Sequence, residues 1–262
     1  MRGTLTNSAA MGALRTQILR FDSLPSTNLE AGRRAAEGAP EGLCIVACEQ
    51  TAGRGRLDRQ WVSPKDAGLY FSIILRPPFE QASWPLLTLT AAVAVHDALL
   101  DSCALETDIK WPNDVMADGK KLCGILAETV ETSLGRAVVV GIGINLTNNA
   151  FPTELDSVAT SVESASGNTP ELDVLLQALT GLLARYYQML QGPNGPDEII
   201  TAWADRSSYA KGKHIRVTNG EEIVEGISRG LEPDGALRVE TATGVVRIVR
   251  AGDVSSLRAL GS

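Results

Sequence analysis

Two glycines and three arginines crowd one polar stretch, Glu49-Gln50-Thr51-Ala52-Gly53-Arg54-Gly55-Arg56-Leu57-Asp58-Arg59-Gln60-Trp61. Glycine lets backbone N–H groups come close to an anion, and each guanidinium adds a forked, permanent positive charge. Such a loop suits a phosphate-rich ligand, although its composition is also that of a solvated surface loop. Without an anion its arginines repel one another, so it is expected to be mobile until a ligand arrives. Further on, Pro112-Asn113-Asp114 after Lys110-Trp111 is ordinary turn chemistry. Lys121 opens the apolar run Leu122–Leu126, its ammonium expected to point along a sheet, where it can neutralise a carboxylate–phosphate centre. Gly124, three residues on, removes a side chain where a flat ligand could lie against backbone. Lys120 reads as a solvated charge. Gly141-Ile142-Gly143-Ile144-Asn145-Leu146 superficially suggests a dinucleotide fingerprint, but it lacks the third glycine and a following helix. Its two glycines read instead as close backbone packing, with the Asn145 amide available to an adenine edge.

Composition narrows the chemistry further. The 262 residues carry 24 basic and 31 acidic side chains, a formal charge of −7 that disfavours a generic nucleic-acid coat. Locally the balance reverses, with Arg54, Arg56, Arg59 and Lys65 set against Asp58 alone between Thr51 and Lys65. Only two histidines are present, His96 and His214. A multi-histidine metal centre is therefore excluded, and a serine–histidine–acid machine would rest on one of them. His96 lies in an apolar helix and reads as a core or boundary residue. Cys44, Cys48, Cys103 and Cys123 form no C-x-x-C pair and read as four reduced thiols. The first seventeen residues lack the apolar region of a signal peptide. The apolar stretches Leu86–Val95 and Ala137–Leu146 are about half a membrane span, so the chain is expected to be soluble and cytoplasmic, with no membrane partner.

The elements that must hold these residues follow from periodicity. Strands are expected at Thr16–Phe21, Leu43–Cys48, Leu69–Leu75 and Thr107–Lys110, and a hairpin at Leu122–Glu131 and Arg136–Leu146. Helices are expected from an N-cap at Ser26 or Thr27 to Glu37, over Trp84–Cys103, over Glu171–Leu190 and over Pro196–Arg206. From Gly212 onward, short β-rich runs separated by Asn219-Gly220, Pro233-Asp234-Gly235 and Thr243-Gly244 suggest a small antiparallel barrel. The expected organisation is a leader over 1–15, a mixed α/β domain over 16–208 and a β module over 209–262.

Taken together, these segments resemble the biotin–protein ligases. Ser26-Thr27-Asn28, Gln50–Trp61, Lys110–Asp114, Lys121–Leu126 and Gly141–Leu146 match that family's motifs in order and spacing over about 120 residues. The resemblance implies an α/β (α+β) fold: a mixed-sheet catalytic domain of the class II aminoacyl-tRNA synthetase type followed by a small SH3-like barrel. It also implies roles. Ser26, Thr27 and Gln50 would hydrogen-bond a biotin head group, with Asn28 supporting that turn. Gly53, Arg54, Gly55 and Arg56 would close over the biotin carboxylate and the phosphates, and Arg59 and Trp61 would complete the nucleotide side. Lys121 would be the central catalytic lysine, joined by Arg54 and Arg56. Gly124 and Leu126 would line the biotin channel, Asn145 would contact adenine, and Asn113 and Asp114 would support. One departure is Asp58, which stands where the family often has glycine; it would weaken loop closure or pair with Arg56 or Arg59.

The activity so implied uses ATP and biotin as substrates with Mg2+ held mainly by phosphates and water, no protein ligand for the ion being assigned. Biotin is activated to biotinyl-5′-AMP and then passed to a lysine of a biotin carboxyl carrier domain. A homodimer is a possible state, since relatives often pair through this domain's sheet. The competing readings are a biotin-responsive repressor, a lipoate or octanoyl ligase, and a non-enzymatic biotin-binding module. The first needs a DNA-binding domain of about 60 residues where about 25 precede Ser26, so no DNA partner is expected. The second lacks the combined Gly53–Arg56 and Lys110–Asp114 patterns, and the third holds only if Asp58 disables the loop.

Overall fold

Alternation along three neighbouring strands sorts the core into two faces. In β2 (Leu43–Ala47), β3 (Gly68–Leu75) and β7 (Gly135–Asn145), nearly every residue is buried on both sides, as expected for central strands with cover above and below. Cys44, Val46, Phe71, Ile73, Val138, Val140 and Ile142 belong to the larger core cluster. Leu43, Ile45, Ile74, Ala137 and Val139 meet Ala31 and Ala35 of α1 (Thr27–Ala36) on the opposite face. The computed structural model describes residues 14–148 and 152–256. The expected leader therefore lies outside the described residues except for its last two.

These strands are the middle of a seven-stranded mixed sheet. Its order is β1 (Gln17–Phe21), β2, β3, β7, β6 (Lys120–Thr132), β5 (Asp114–Ala117) and β4 (Asp108–Lys110). Only β1 and β2 run parallel; the other five pairings are antiparallel. The hairpin of β6 and β7 forms as expected, while β5 occupies residues read as turn and connection. Over the face away from α1 pack α2 (Leu86–Cys103), α4 (Leu172–Leu190) and α5 (Gly195–Ala204). A short α3 (Val162–Ser166), capped by Ser161 Oγ, was not legible in the sequence. The segment Gln81–Cys103 is long and apolar enough to cross a membrane, but 61% of its most apolar window is buried inside this fold.

The β module is a five-stranded antiparallel sheet with the order β11 (Val246–Val249), β10 (Leu237–Glu240), β9 (Glu222–Leu231), β8 (Lys211–Asn219) and β12 (Asp253–Ser256). Ile215, Val217, Leu237, Val239 and Val254 belong to the same continuous apolar cluster as α2 and α4. Trp111 is buried and donates from Nε1 to the Gly235 carbonyl at 3.0 Å. The sheet is thus packed onto the larger unit, which brings β12 to the functional site.

His96 sits half-buried on α2 with Nδ1 2.9 Å from Thr107 Oγ1, away from the site. Burial holds its pKa below the ordinary 6.5, although neighbouring Asp97 works the other way. The unfolded chain therefore binds a proton that the folded chain refuses. Stability contributed by neutral His96 is present above pH 6.5 and is lost as the pH falls through the depressed folded value. A His96→Gln variant should show a flatter thermal-unfolding midpoint across that acid range; an unchanged slope would mean that His96 does not titrate against folding. The cysteines are free as expected. Burial pushes the Cys44 thiol up to about 12, which keeps it protonated and inert.

Candidate active site

Beyond the N-terminal end of α1, the sheet face that this helix covers is left bare. The residues on that face include Ser72 of β3, Gly141 and Gly143 of β7, and Gly124, Leu126 and Glu128 of β6. The register places Gly124 opposite Gly143 and Leu126 opposite Gly141. A cavity of about 490 Å³ stands over this floor, within the range of small-molecule sites.

The glycines make room for particular neighbours. A Cβ on Gly141 would collide with the Asn28 carboxamide, and one on Gly143 would lie 2.5 Å from Trp61 Nε1. A Cβ on Gly124 would sit 2.9 Å from the same indole. The facing pair Gly124 and Gly143 therefore forms a flat slot for Trp61, whose Nε1 is buried without an acceptor among the described residues. The close-packing reading of Gly141 and Gly143 holds, whereas the flat group against Gly124 is the Trp61 indole and not the ligand expected there.

One end of the cavity is a polar network. Ser26 occupies the N-cap position of α1 as expected, but its side chain makes no capping bond. The Gln50 carboxamide does that work: its Oε1 accepts from the Thr27 backbone N–H at 2.8 Å and from Thr27 Oγ1 at 3.1 Å. Gln50 Nε2 donates to Ser63 Oγ at 2.8 Å. Fully buried Ser72 donates to Asn28 Oδ1 at 2.6 Å and lies 2.7 Å from Thr27 Oγ1. Asn28 Nδ2 donates to Leu126 O at 3.2 Å and Glu128 Oε2 at 2.9 Å. Ser26, Thr27, Asn28 and Gln50 all line the cavity.

The lysine reaches the same space through an irregular register. Strand alternation alone would put Lys121 and Gly124, three residues apart, on opposite faces. Between β5 and β6, however, Val115 faces Cys123 while the next residue, Met116, faces Lys121. Leu122 is the extra residue of a bulge, which re-aims Lys121 onto the face of Gly124 and Asp114. Lys121 Nζ lies 2.6 Å from Asp114 Oδ1 and 5.4 Å from the Trp61 ring centre. The Asp114 contact lacks hydrogen-bond geometry, and Oδ1 has no other donor among the described residues, so it is an ion pair. Lys110 Nζ stands 3.6 Å from the other carboxylate oxygen. Asn145, buried at the end of β7, lines the cavity and donates from Nδ2 to Thr160 O at 3.0 Å.

The arginine loop covers the opening as a tight hairpin, with Gly55 N–H donating to Arg59 O at 2.7 Å and Trp61 N–H to Gly53 O at 3.0 Å. Its charges are partnered, which offsets the repulsion expected from the sequence. Arg54 meets Glu128 at 2.8 Å. Arg56 donates to Asn113 Oδ1 at 2.9 Å and to Gly252 O at 3.4 Å, and Arg59 pairs with Asp253 of β12. Asp58 pairs with neither Arg56 nor Arg59. Gly53 lines no part of the cavity; it lies against Trp61 O and Ser63 Oγ at the loop's base.

Three partners were missing from the sequence reading. Ser72 is the lone small polar side chain in the run Leu69–Leu75, and Glu128 shares the strand parity of Gly124 and Leu126, so both left a local signal. Asp253, 194 residues from Arg59, left none.

Known proteins resemble this chain in sequence and in fold. The profile of the Biotin/lipoate A/B protein ligase family matches residues 18–145, and that of the Biotin protein ligase C terminal domain matches residues 212–256. The biotin--[acetyl-CoA-carboxylase] ligase of Mycobacterium tuberculosis is 36% identical over 241 residues, spanning 89% of this chain and 86% of that protein. The chain belongs to the biotin protein ligase family. The bifunctional ligase/repressor BirA of Bacillus subtilis is 37% identical, covering 95% of this chain and 78% of its own length. The biotin protein ligase of Aquifex aeolicus in complex with biotin and ATP superposes with a TM-score of 0.80 at 27% identity, covering 92% of this chain and 99% of that one. The family resemblance also gives Asp58 a physical reading. The backbone there has φ +57°, and Leu57 has φ +54°, a left-handed region where glycine is free of strain and aspartate is among the better-tolerated side chains.

Proposed function

We propose that this biotin protein ligase activates biotin with ATP and transfers it to a lysine of a biotin carboxyl carrier domain. The observation that supports this most directly is the convergence of three groups on one cavity: the Thr27–Asn28–Gln50 network, the Lys121–Asp114 ion pair and the arginine loop. A biotin head group has one urea carbonyl and two N–H groups, which the mixed donors and acceptors of Ser26, Thr27 and Gln50 complement. Its carboxylate would then lie towards Lys121, beneath Arg54 and Arg56.

In the first step a biotin carboxylate oxygen attacks the α-phosphorus of ATP, and the bond to the β-phosphate oxygen breaks, releasing pyrophosphate. Protein groups need only align the in-line atoms and stabilise charge on the phosphoryl oxygens, a task suited to Lys121, Arg54 and Arg56. Magnesium enters with the nucleotide as part of the substrate, held by phosphates and water; Asp114 and Asp253 on the cavity wall already carry cationic partners. In the second step the neutral amine of the carrier lysine attacks the activated carbonyl. An amide forms, AMP leaves, and the amine's proton goes to solvent or a nearby base. Mixed anhydrides hydrolyse, so the loop and the Trp61 slot also serve to exclude water.

Incubating the chain with tagged biotin, ATP and a carrier domain should give biotin-dependent pyrophosphate release and a tagged carrier. Pyrophosphate release with lipoate but not with biotin, or no release with either, would overturn the reading.

A further inference from the structure

The loop's arginines are neutralised by acids drawn from separate elements. Arg54 is held by Glu128 in the middle of β6, at 2.8 Å. Arg59 is held by Asp253 at the start of β12, and Arg56 lies 3.9 Å from that same carboxylate. Asp253 and all three arginines line the cavity. We propose that Glu128 and Asp253 are resident counter-ions of the arginine clamp. They occupy the fork positions that a ligand's carboxylate and phosphate oxygens take, and so set which anions the clamp will hold. The inference rests on the proposed reading of the cavity as a biotin and nucleotide site.

Glu128 is fixed independently of the arginine it neutralises. Its Oε2 accepts from Asn28, which is tied in turn to buried Ser72 and, through Thr27 and Gln50, to Ser63. The chain of hydrogen bonds runs along one end of the cavity from Glu128 to the two feet of the arginine loop, Gln50 and Ser63. When an anion arrives, Arg54 must leave a carboxylate that cannot follow it. Asp253 is likewise anchored by the pairing of β12 with β8.

The consequence is selectivity. A single phosphate offers too little to displace the acids from several forks. A ligand presenting a carboxylate and a polyphosphate in one geometry satisfies all the arginines at once. After the adenylate forms, the same carboxylates compete for the arginines and favour departure of pyrophosphate. Glu128 and Asp253 act here through the arginines, as positioning residues.

The test is calorimetric titration of the full chain with inorganic pyrophosphate. Glu128→Gln keeps an acceptor for Asn28 and removes the charge, and at low salt it should bind pyrophosphate about tenfold tighter than the native chain, since a carboxylate a few ångströms from the anion acts through a low effective dielectric. The gain should shrink as salt is raised and should vanish in an Arg54→Ala background. Asp253→Asn should shift binding in the same direction, dependent on Arg59. A role confined to holding the loop in shape predicts weaker binding instead. Unchanged or weaker pyrophosphate binding by Glu128→Gln, or a gain that persists without Arg54, overturns the proposal. The titration needs no turnover, so its failure is separable from failure of the ligase reading, which would show as a native chain without biotin-dependent pyrophosphate release.

Discussion

Lys121→Ala should slow adenylate formation by about 10²–10³-fold, the loss that follows removal of one preorganised charge donor from a developing oxyanion. Single-turnover pyrophosphate release at saturating biotin and ATP measures it, and a rate near that of the native chain would remove Lys121 from the centre of the reaction. The variant should also lose stability, because Lys121 is the close partner of an Asp114 side chain only 14% exposed. Removing one member of a fully buried pair costs about 3–5 kcal/mol. Here the loss should be smaller, since Lys121 is itself one-third exposed and Lys110 remains 3.6 Å from Asp114. The unfolding midpoint of Lys121→Ala should therefore fall, and Asp114→Asn in the same chain should restore part of it without restoring activity. That pattern separates the charge lost from chemistry from the charge left stranded in the wall.

The second large effect is expected at Gly143, which bears no functional group. A methyl there would enter the indole of Trp61 at 2.5–2.6 Å, closer than non-bonded atoms pack. The ring cannot slide towards Gly124, where it is already confined, so it must tilt out of its slot. Lys121, beneath that ring, and the arginine loop, which ends in Trp61, would shift with it. Misplacement of reacting groups by about 1 Å costs about 10²-fold, and Gly143→Ala should lose adenylate formation on that scale. The double variant tests the cause. Trp61→Ala should be impaired alone, and adding Gly143→Ala to it should do little further harm, because the collision partner is gone. If the two losses instead multiply, Gly143 acts through something other than the indole.

Much of this architecture is legible one segment at a time. The β6–β7 hairpin, the long apolar α2 and the amphipathic α4 follow from periodicity and turn residues, because each carries its pattern within its own length. The elements missed are short. β5 and β12 are four residues each, too few for alternation to rise above turn chemistry, and β5 contains the Asp114 that reads most simply as a turn residue. The N-cap of α1, expected at Ser26 or Thr27, falls at Ser26, whose side chain makes no capping bond. Gln50 reaches in from the loop instead, because the backbone of Thr51 and Ala52 is pinned to Leu24 and Pro25.

The residue types that line the cavity are therefore legible in the sequence: arginines and a glycine in one loop, a lysine at the head of an apolar strand, and an asparagine closing another. Their mutual geometry was not. Lys121 and Gly124 are spaced so that alternation separates them, and only the bulge at Leu122, a product of pairing with β5, brings them to one face. The arginines carry the same charge in any reading of the chain, yet the acids that neutralise them come from β6 and β12. A charge is a local property of a side chain and can be read one residue at a time. A counter-charge is a property of distance in space, and folding alone brings Asp253 to Arg59.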